Sequence, residues 1–530
     1  MTTSADSEFD FVVIGSGFAG SLIACILQTQ GRRVAIIDRA SHPRFAIGES
    51  STPAASLILT SLADQYELPW LKPFAKYGIW KSTYPNITTG RKRGFSYFYH
   101  EAGQTFQSKP GHSNELLAAA SSTDEQSDTQ WLRSDVDAFF FKKACESGVT
   151  PFENSEIDSL RRTPTNWSIR LNGRNTTSRS VPRKLSTGFL IDASGAGQVL
   201  ARHFDIRDDV AQLQTNSRSI FAHVSGLPEW ASLLEQNSPG STTDHPFHCD
   251  HAAQHHVLEE GWLWSLRFDN GITSVGLVLD DRIARASNIE DFSKIISRYP
   301  SLRDAFSSTT IVAPRQAPVT TPRLQRLAGV IAGDDWAMLP HTAGFIDPLH
   351  STGIAHSLSG VERLVDILLA RQPKSKQCSP SVVTQLQNYG TSVRAELLLI
   401  DQLTAGCYDA IAQRSFRKFC AFTMCYFAAA TTWERCRLEQ KYDPREDSTA
   451  PPRKPFPALL CSDVTDFRTT VFSLRDRMLD TTDESFEKLC KETLAPFNHV
   501  GLFEPPIPNM YGGTAMPEHR TSDIEQSISK

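Results

Sequence analysis

The first forty residues change hydrophobic period twice. Phe9–Ile14 is a short run of aromatic and β-branched residues, which predicts a buried strand. The turn Gly15-Ser16-Gly17-Phe18-Ala19-Gly20 follows, and Ser21–Gln30 then carries apolar residues at helical spacing until Gly31. Arg33–Ile37 is a second strand ending at Asp38. The order strand, glycine turn, helix, strand predicts a β-α-β unit. Farther on, Arg133–Ser147 reads as a helix, and Asn166–Leu171 and Gly188–Ile191 read as strands around a polar turn. Alternation within residues 220–280 predicts antiparallel sheet. Ile354–Leu369 has one apolar helical face, and Ser381–Trp433 is rich in helix formers and aromatic residues. Polar Ser121–Gln130 is expected as an exposed loop, Asp443–Pro457 as a surface loop, and the chain after about 512 as a flexible tail.

Composition narrows the class. At roughly 150 residues per domain, 530 residues make about three to four domain-sized units. With 40% hydrophobic and 21% charged residues, the chain is not disordered, collagenous, a coiled coil or a disulfide scaffold. Lys plus Arg number 54 and Asp plus Glu 59, a net charge of −5. That balance argues against a nucleic-acid or membrane-surface partner. The ten cysteines are scattered with no C-x-x-C pair, so neither a zinc ribbon nor a redox dithiol is expected. Met1–Asp10 lacks the features of a secretory signal, and no apolar run approaches the ~20 residues of a membrane span. The expectation is a cytoplasmic protein with free thiols.

The glycine turn carries the first chemistry. Gly15, Gly17 and Gly20 form G-x-G-x-x-G between a strand and a helix, and Asp38 ends the next strand. Glycines let the backbone turn tightly and approach a pyrophosphate at the helix N-terminus, while the acid bonds a ribose hydroxyl. FAD and NAD both satisfy this unit. Three further segments look like elements of FAD monooxygenases. Arg133-Ser134-Asp135-Val136-Asp137 resembles the arginine-led helix beside the cofactor. Ile191-Asp192-Ala193-Ser194-Gly195-Ala196-Gly197 resembles the second strand-turn, and Gly333-Asp334 resembles the late Gly-Asp motif at the ribityl chain. No second G-x-G-x-x-G is visible, so no separate nicotinamide domain is expected.

Within that scaffold the chain resembles the flavin-dependent halogenases, from residue 9 to about 440, and in particular their phenol and pyrrole branch. His42-Pro43-Arg44-Phe45-Ala46-Ile47-Gly48-Glu49-Ser50 is similar to the family's H-P-R-F-x-I-G-E-S loop, and Gly90-Arg91-Lys92-Arg93-Gly94-Phe95 to its G-x-K-R-x-F segment. Phe345-Ile346-Asp347-Pro348-Leu349-His350-Ser351-Thr352-Gly353 carries F-x-x-P-x-x-S-x-G at full spacing. The resemblance implies reduced FAD from a separate flavin reductase. It also implies chloride or bromide as the co-substrate, hypohalous acid as the oxidant, and an electron-rich aromatic substrate that is free or tethered to a carrier protein.

The resemblance also implies site residues. Lys92 would guide the oxidant, with Arg91 and Arg93 depressing its pKa if the three lie close together. Glu49 and Ser50 would belong to a strap linking flavin and halide. Thr352 and Gly353 would bind halide before the Ile354 helix, where N–H groups favour anions. FAD would be held by Gly15, Gly17, Phe18, Ala19, Gly20, Asp38, Arg39, Ile47, Gly48, Glu49, Ser50, Arg133, Asp334, Pro348, Gly353 and Ile354. Trp262, Trp264 and His350 would line the substrate pocket.

Two departures bear on the chemistry. Trp262-Leu263-Trp264-Ser265-Leu266-Arg267 replaces the proline of the family's W-x-W-x-I-P motif with Arg267. Because that motif is thought to suppress oxygen insertion, an FAD-dependent aromatic hydroxylase remains the alternative, and a non-catalytic flavin-binding protein is a third reading. His350 stands where tryptophan halogenases carry glutamate, which argues against free tryptophan. The run His245, His248, His251, His255 and His256 could ligate a metal on a helix, but it reads as substrate-pocket or loop histidines, one of them a base for a phenol proton; no metal is assigned. The expected architecture is α/β. A Rossmann-type FAD domain of the aromatic hydroxylase kind, built from about 1–90, 131–205 and 325–365, joins an antiparallel substrate sheet within 1–365. A helical region, 366–510, covers the substrate, and 511–530 form a tail.

Overall fold

The structure is a computed structural model that describes residues 7–173, 184–284, 289–315, 317–371, 378–441 and 458–516. Its nucleotide-type sheet has five parallel strands, in the order Trp336–Met338, Leu190–Asp192, Phe11–Ile14, Val34–Ile37 and Thr150–Phe152. The strands Phe11–Ile14 and Val34–Ile37 are buried along their whole length, as expected where helices cover both faces of a parallel sheet. The helix Phe18–Thr29 starts three residues earlier than the apolar periodicity alone suggested, because the glycine turn itself leads into it. The other predicted helices and strands of this part lie within a few residues of their expected bounds: Arg133–Glu146, Trp167–Gly173, Leu190–Asp192 and Gly353–Leu369.

The second large sheet is mostly antiparallel. Ser217–Ser225, Ile272–Asp280, Gly261–Arg267 and Ala253–Leu258 pair in that order, antiparallel as the alternation within 220–280 predicted. Ala253–Leu258 then pairs in parallel with Gly94–Tyr99, which pairs antiparallel with Glu115–Ala119. This sheet separates two cores. Phe95, Tyr97, Leu116 and Ala118 face the main core, while Phe98, Leu117 and Ala119 face a smaller one. The long helices Pro380–Ala412 and Phe416–Lys441, joined by three residues, close the main core.

Two expectations are corrected. Asp128–Gln130, read as the end of an exposed loop, form with Trp131 a fully buried strand paired with Thr89–Lys92. Its polar side chains bond within the interior: Asp128 accepts from the Ser56 hydroxyl, Thr129 meets the Ser51 hydroxyl, and Gln130 donates to the Ala252 carbonyl. Residues 511–516, read as tail, are held in place. Met510–Tyr511 pairs with Leu117 and Ala118, Thr514 N–H donates to the Ala119 carbonyl, and Met516 N–H donates to Glu434. The proposed loop 443–457 and residues 517–530 lie outside the described residues. Among the described residues all ten cysteines are free, and no helix is long and apolar enough to cross a membrane.

Candidate active site

The carboxyl ends of Phe11–Ile14, Leu190–Asp192 and Trp336–Met338 share one edge. Gly15 there has φ +105°, and a Cβ on it would sit 2.5 Å from the Ala193 carbonyl oxygen. On Gly20 a Cβ would sit 2.1 Å from the Gly15 oxygen, so both positions require glycine. Asp38 accepts from the Ser16 N–H, the Ser16 hydroxyl and the Ala40 N–H, and it pairs with Arg44. Burial works against its charge, but Arg44 and these hydrogen bonds outweigh burial and hold its carboxyl below the ordinary range. Its Oδ1 carries a single donor and keeps a lone pair for a ribose hydroxyl.

Arg133 joins the glycine turn to the strap. It forks onto Asp137, donates to the Ile47 and Gly48 carbonyls, and would lie 3.4–3.6 Å from a Cβ placed on Gly48 or Gly17. Phe18 is a core residue beneath Arg133, and Arg39 is exposed. Asp334 departs from the expectation. It is exposed in the turn before Trp336–Met338, which puts it at the opposite end of the parallel sheet from Gly15–Gly20. The turn after that strand reaches the shared edge instead. Thr342 Oγ1 accepts the Gly195 N–H, and the His341 ring would lie 3.4 Å from a Cβ on Gly195. A glycine turn at a strand's carboxyl end, a helix N-terminus and an acid with a free lone pair fit FAD.

The strap is stitched to the buried strand Asp128–Trp131. Trp131 N–H donates to the Glu49 carbonyl, Ser51 N–H to the Thr129 carbonyl, and Ser50 bridges Gln130. Glu49 is buried, and its Oε1 lies 2.7 Å from His223 Nε2, a partner that sequence spacing did not reveal. The Ser50 hydroxyl is buried without a partner.

Lys92 is 1% exposed. Its Nζ donates to the Ser51 carbonyl at 2.6 Å and stands 4.1 Å above the Phe95 ring. Burial pushes its pKa down to about 8, opposed by Asp128 directly across the strand pair. Arg91 and Arg93 do not depress it. Strand alternation turns them to the other side, where both meet Asp124.

Thr52, Phe95, Thr352, Tyr426, Phe427 and Glu434 line a cavity of about 20 Å³, with Leu460 and Thr514 in the same lining. Thr352 is the residue before the helix Gly353–Leu369, and its hydroxyl makes no cap bond to it. A Cβ on Gly353 would meet nothing within 4 Å, so open space lies in front of this turn. Ile354 is buried and Pro348 half-buried behind the turn.

His350, Trp262 and Trp264, expected in the substrate pocket, do not line this cavity. His350 stacks on Tyr426 at 4.7 Å, and burial pushes its pKa down to about 4. The Trp262 indole donates to Tyr408 and that of Trp264 to Ser274. Tyr408 and Ser217 donate to Asp347, whose pKa burial raises to about 7. Arg267 leaves the strand on the opposite face from the two tryptophans and binds Asp250 and the Leu227 and Pro228 carbonyls. The histidine run forms no helix. His248 and His251 stack in a turn, and His255 packs on Tyr97 within a strand.

The family model for FAD-dependent oxidoreductases matches residues 10–296. The chain belongs to that family. Among the relatives of this oxidoreductase, the monodechloroaminopyrrolnitrin halogenase PrnC of Pseudomonas fluorescens is 28% identical over 68% of this chain and 62% of its own length. The tetracycline 7-halogenase of Kitasatospora aureofaciens is 27% identical over 70% of this chain and 65% of its own length. The chain thus spans somewhat less than two thirds of these curated relatives. The halogenase PltM, solved with phloroglucinol and FAD, shares the fold at a TM-score of 0.80. It is 22% identical, with 92% of this chain and 96% of that one covered. The resemblance to flavin-dependent halogenases drawn from the motifs agrees with these relatives.

Proposed function

We propose that the chain is a flavin-dependent halogenase acting on an electron-rich aromatic substrate, a phenol or a pyrrole. The observation that carries this reading is the placement of Lys92. It is a buried lysine whose ammonium donates to the flavin-side strap at Ser51 and stands over Phe95, a lining residue of an aromatic cavity that Thr352 also lines. FAD, reduced by a separate flavin reductase, supplies hypohalous acid from dioxygen and halide.

This chain's residues would do the rest. The N–H groups at Thr352 and Gly353 bind halide at the mouth of the helix. Lys92 stays an ammonium at neutral pH because Asp128 supports its charge, and it donates a hydrogen bond that holds the oxidant in place. Phe95, Tyr426 and Phe427, which line the cavity, would pack on the substrate ring, and the Glu434 carboxylate in the same lining would take its acidic proton. The cavity, at about 20 Å³, is smaller than one aromatic ring, so its lining must move apart on binding.

The hydroxylase alternative draws on Arg267, which lies away from the tryptophan face and leaves the Trp262–Trp264 ring contact in place. Mass spectrometry of phenols and pyrroles incubated with reduced FAD, dioxygen and bromide tests the proposal. Brominated product is expected, and hydroxylated product without bromination would overturn it.

A further inference from the structure

We propose that His112, Glu115 and His245 form a binding site for one divalent transition-metal ion of the zinc type, on the side of the substrate sheet away from the Lys92 cavity. Glu115 opens the strand Glu115–Ala119 and is fully buried. It shares a face with Leu117 and Ala119, which pack in the smaller core. His112, three residues earlier, is carried on a short turn with φ +50°, and His245 comes from the turn-rich segment 239–249. One donor atom from each of the three residues lies within 4.8 Å of the others.

The second observation is His245 itself. Its side chain is 2% exposed, and neither ring nitrogen has a hydrogen-bond partner. A neutral imidazole carries one N–H donor and one acceptor, and leaving both buried and unpaired is costly. Its Nε2 points at Glu115 Oε2 from 3.8 Å, too far for a hydrogen bond. His112 Nδ1 lies 2.6 Å from the same oxygen. Zinc bonds of ~2.0–2.1 Å at the tetrahedral angle place ligand atoms about 3.3 Å apart, between these two separations. Small shifts of two imidazoles would therefore admit the ion and satisfy His245.

The surroundings have the form of a metal site's outer layer. Glu115 Oε1 accepts from the Ser108 hydroxyl at 2.8 Å. His112 Nε2 lies 3.4 Å from Asp244 Oδ2, so that carboxylate can hold the ring with Nδ1 turned inward. Two imidazoles and one carboxylate are donors suited to zinc, with solvent as the fourth. The ion would fasten the 239–249 segment to the sheet. It would not take part in flavin chemistry, because the sheet stands between them.

The test is binding of zinc chloride to chelator-treated full-length protein, read by elemental analysis after gel filtration and by competition with a chromogenic chelator. One zinc per chain is expected. Glu115→Gln and His245→Ala should each weaken binding about a hundredfold or more. His248→Ala, altering a partly exposed neighbour in the same histidine run, should bind as wild type does. If the variants fail to fold, cobalt added to wild type decides. A strong visible absorption of the four-coordinate kind, erased by zinc, supports the site. No stoichiometric zinc in wild type, no such cobalt spectrum, or unchanged affinity in folded Glu115→Gln would overturn it.

Discussion

Replacing Lys92 with methionine separates stability from chemistry, and the structure sets the sign of each. The lysine's pKa falls from 10.5 to about 8 on folding, chiefly through burial. At ~1.4 kcal/mol per pH unit, the folded protein disfavours the charged form by about 3 kcal/mol. Between pH 8 and 10.5 the unfolded chain binds the extra proton, so wild-type stability rises with pH across that window; below pH 8 the full penalty is present. Methionine has similar length, carries no charge and keeps contact with Phe95. Lys92→Met should therefore be stabilised by up to ~3 kcal/mol at pH 7, an advantage that shrinks towards pH 10.5. Halogenated product per flavin oxidised should nevertheless fall about a thousandfold, the equivalent of losing ~4 kcal/mol of transition-state stabilisation. Denaturant unfolding at pH 7 and 10, with product yield on the same preparations, reads both effects. An unchanged yield would refute the oxidant-guiding role, and a variant much less stable than wild type at pH 7 would refute the burial argument.

Other consequences are open to direct measurement. If the ammonium is the working form, halogenation with reduced FAD supplied chemically should decline about tenfold per pH unit above about 8. Gly15→Ala should abolish FAD binding, since its Cβ would strike the Ala193 carbonyl; retained flavin fluorescence titration would contradict this. Anomalous diffraction from bromide-soaked crystals should show a peak at Thr352 and Gly353, and peaks confined to distant surface sites would remove the halide assignment. Arg267→Ala leaves Asp250 buried without its charge partner and should destabilise the fold by ~3 kcal/mol without producing hydroxylated product. Purified protein should oxidise NADPH only slowly unless a flavin reductase is added.

Local order along the chain was enough to read the nucleotide turn. Gly15–Gly20, the flanking strands and Asp38 are adjacent in sequence, and their periods are set by backbone geometry within about thirty residues. The loop 42–53, Lys92 and Ser351–Gly353 were legible by resemblance as motifs, and the fold brings Thr52, Phe95 and Thr352 around one cavity with Lys92 against Phe95. Letters alone could not fix register. Gly333-Asp334 matched a motif yet enters its strand at the far end of a parallel sheet, while the unremarked Leu339–Ala343 turn leaves at the ligand edge. Polarity likewise misled for Asp128–Gln130, because partners at least thirty-six residues away bond its polar groups in the interior. The neighbours of Lys92 show the same division. The sequence by itself determined that three basic residues are consecutive, but strand alternation in the folded sheet decided that only the middle one is buried. Its pKa is then governed by lost hydration rather than by adjacent charge. Glu49 with His223, the cavity wall from Phe95 to Glu434, and the cluster of His112, Glu115 and His245 likewise exist only once distant segments pack together, since no short-range pattern encodes a contact across a hundred residues or more.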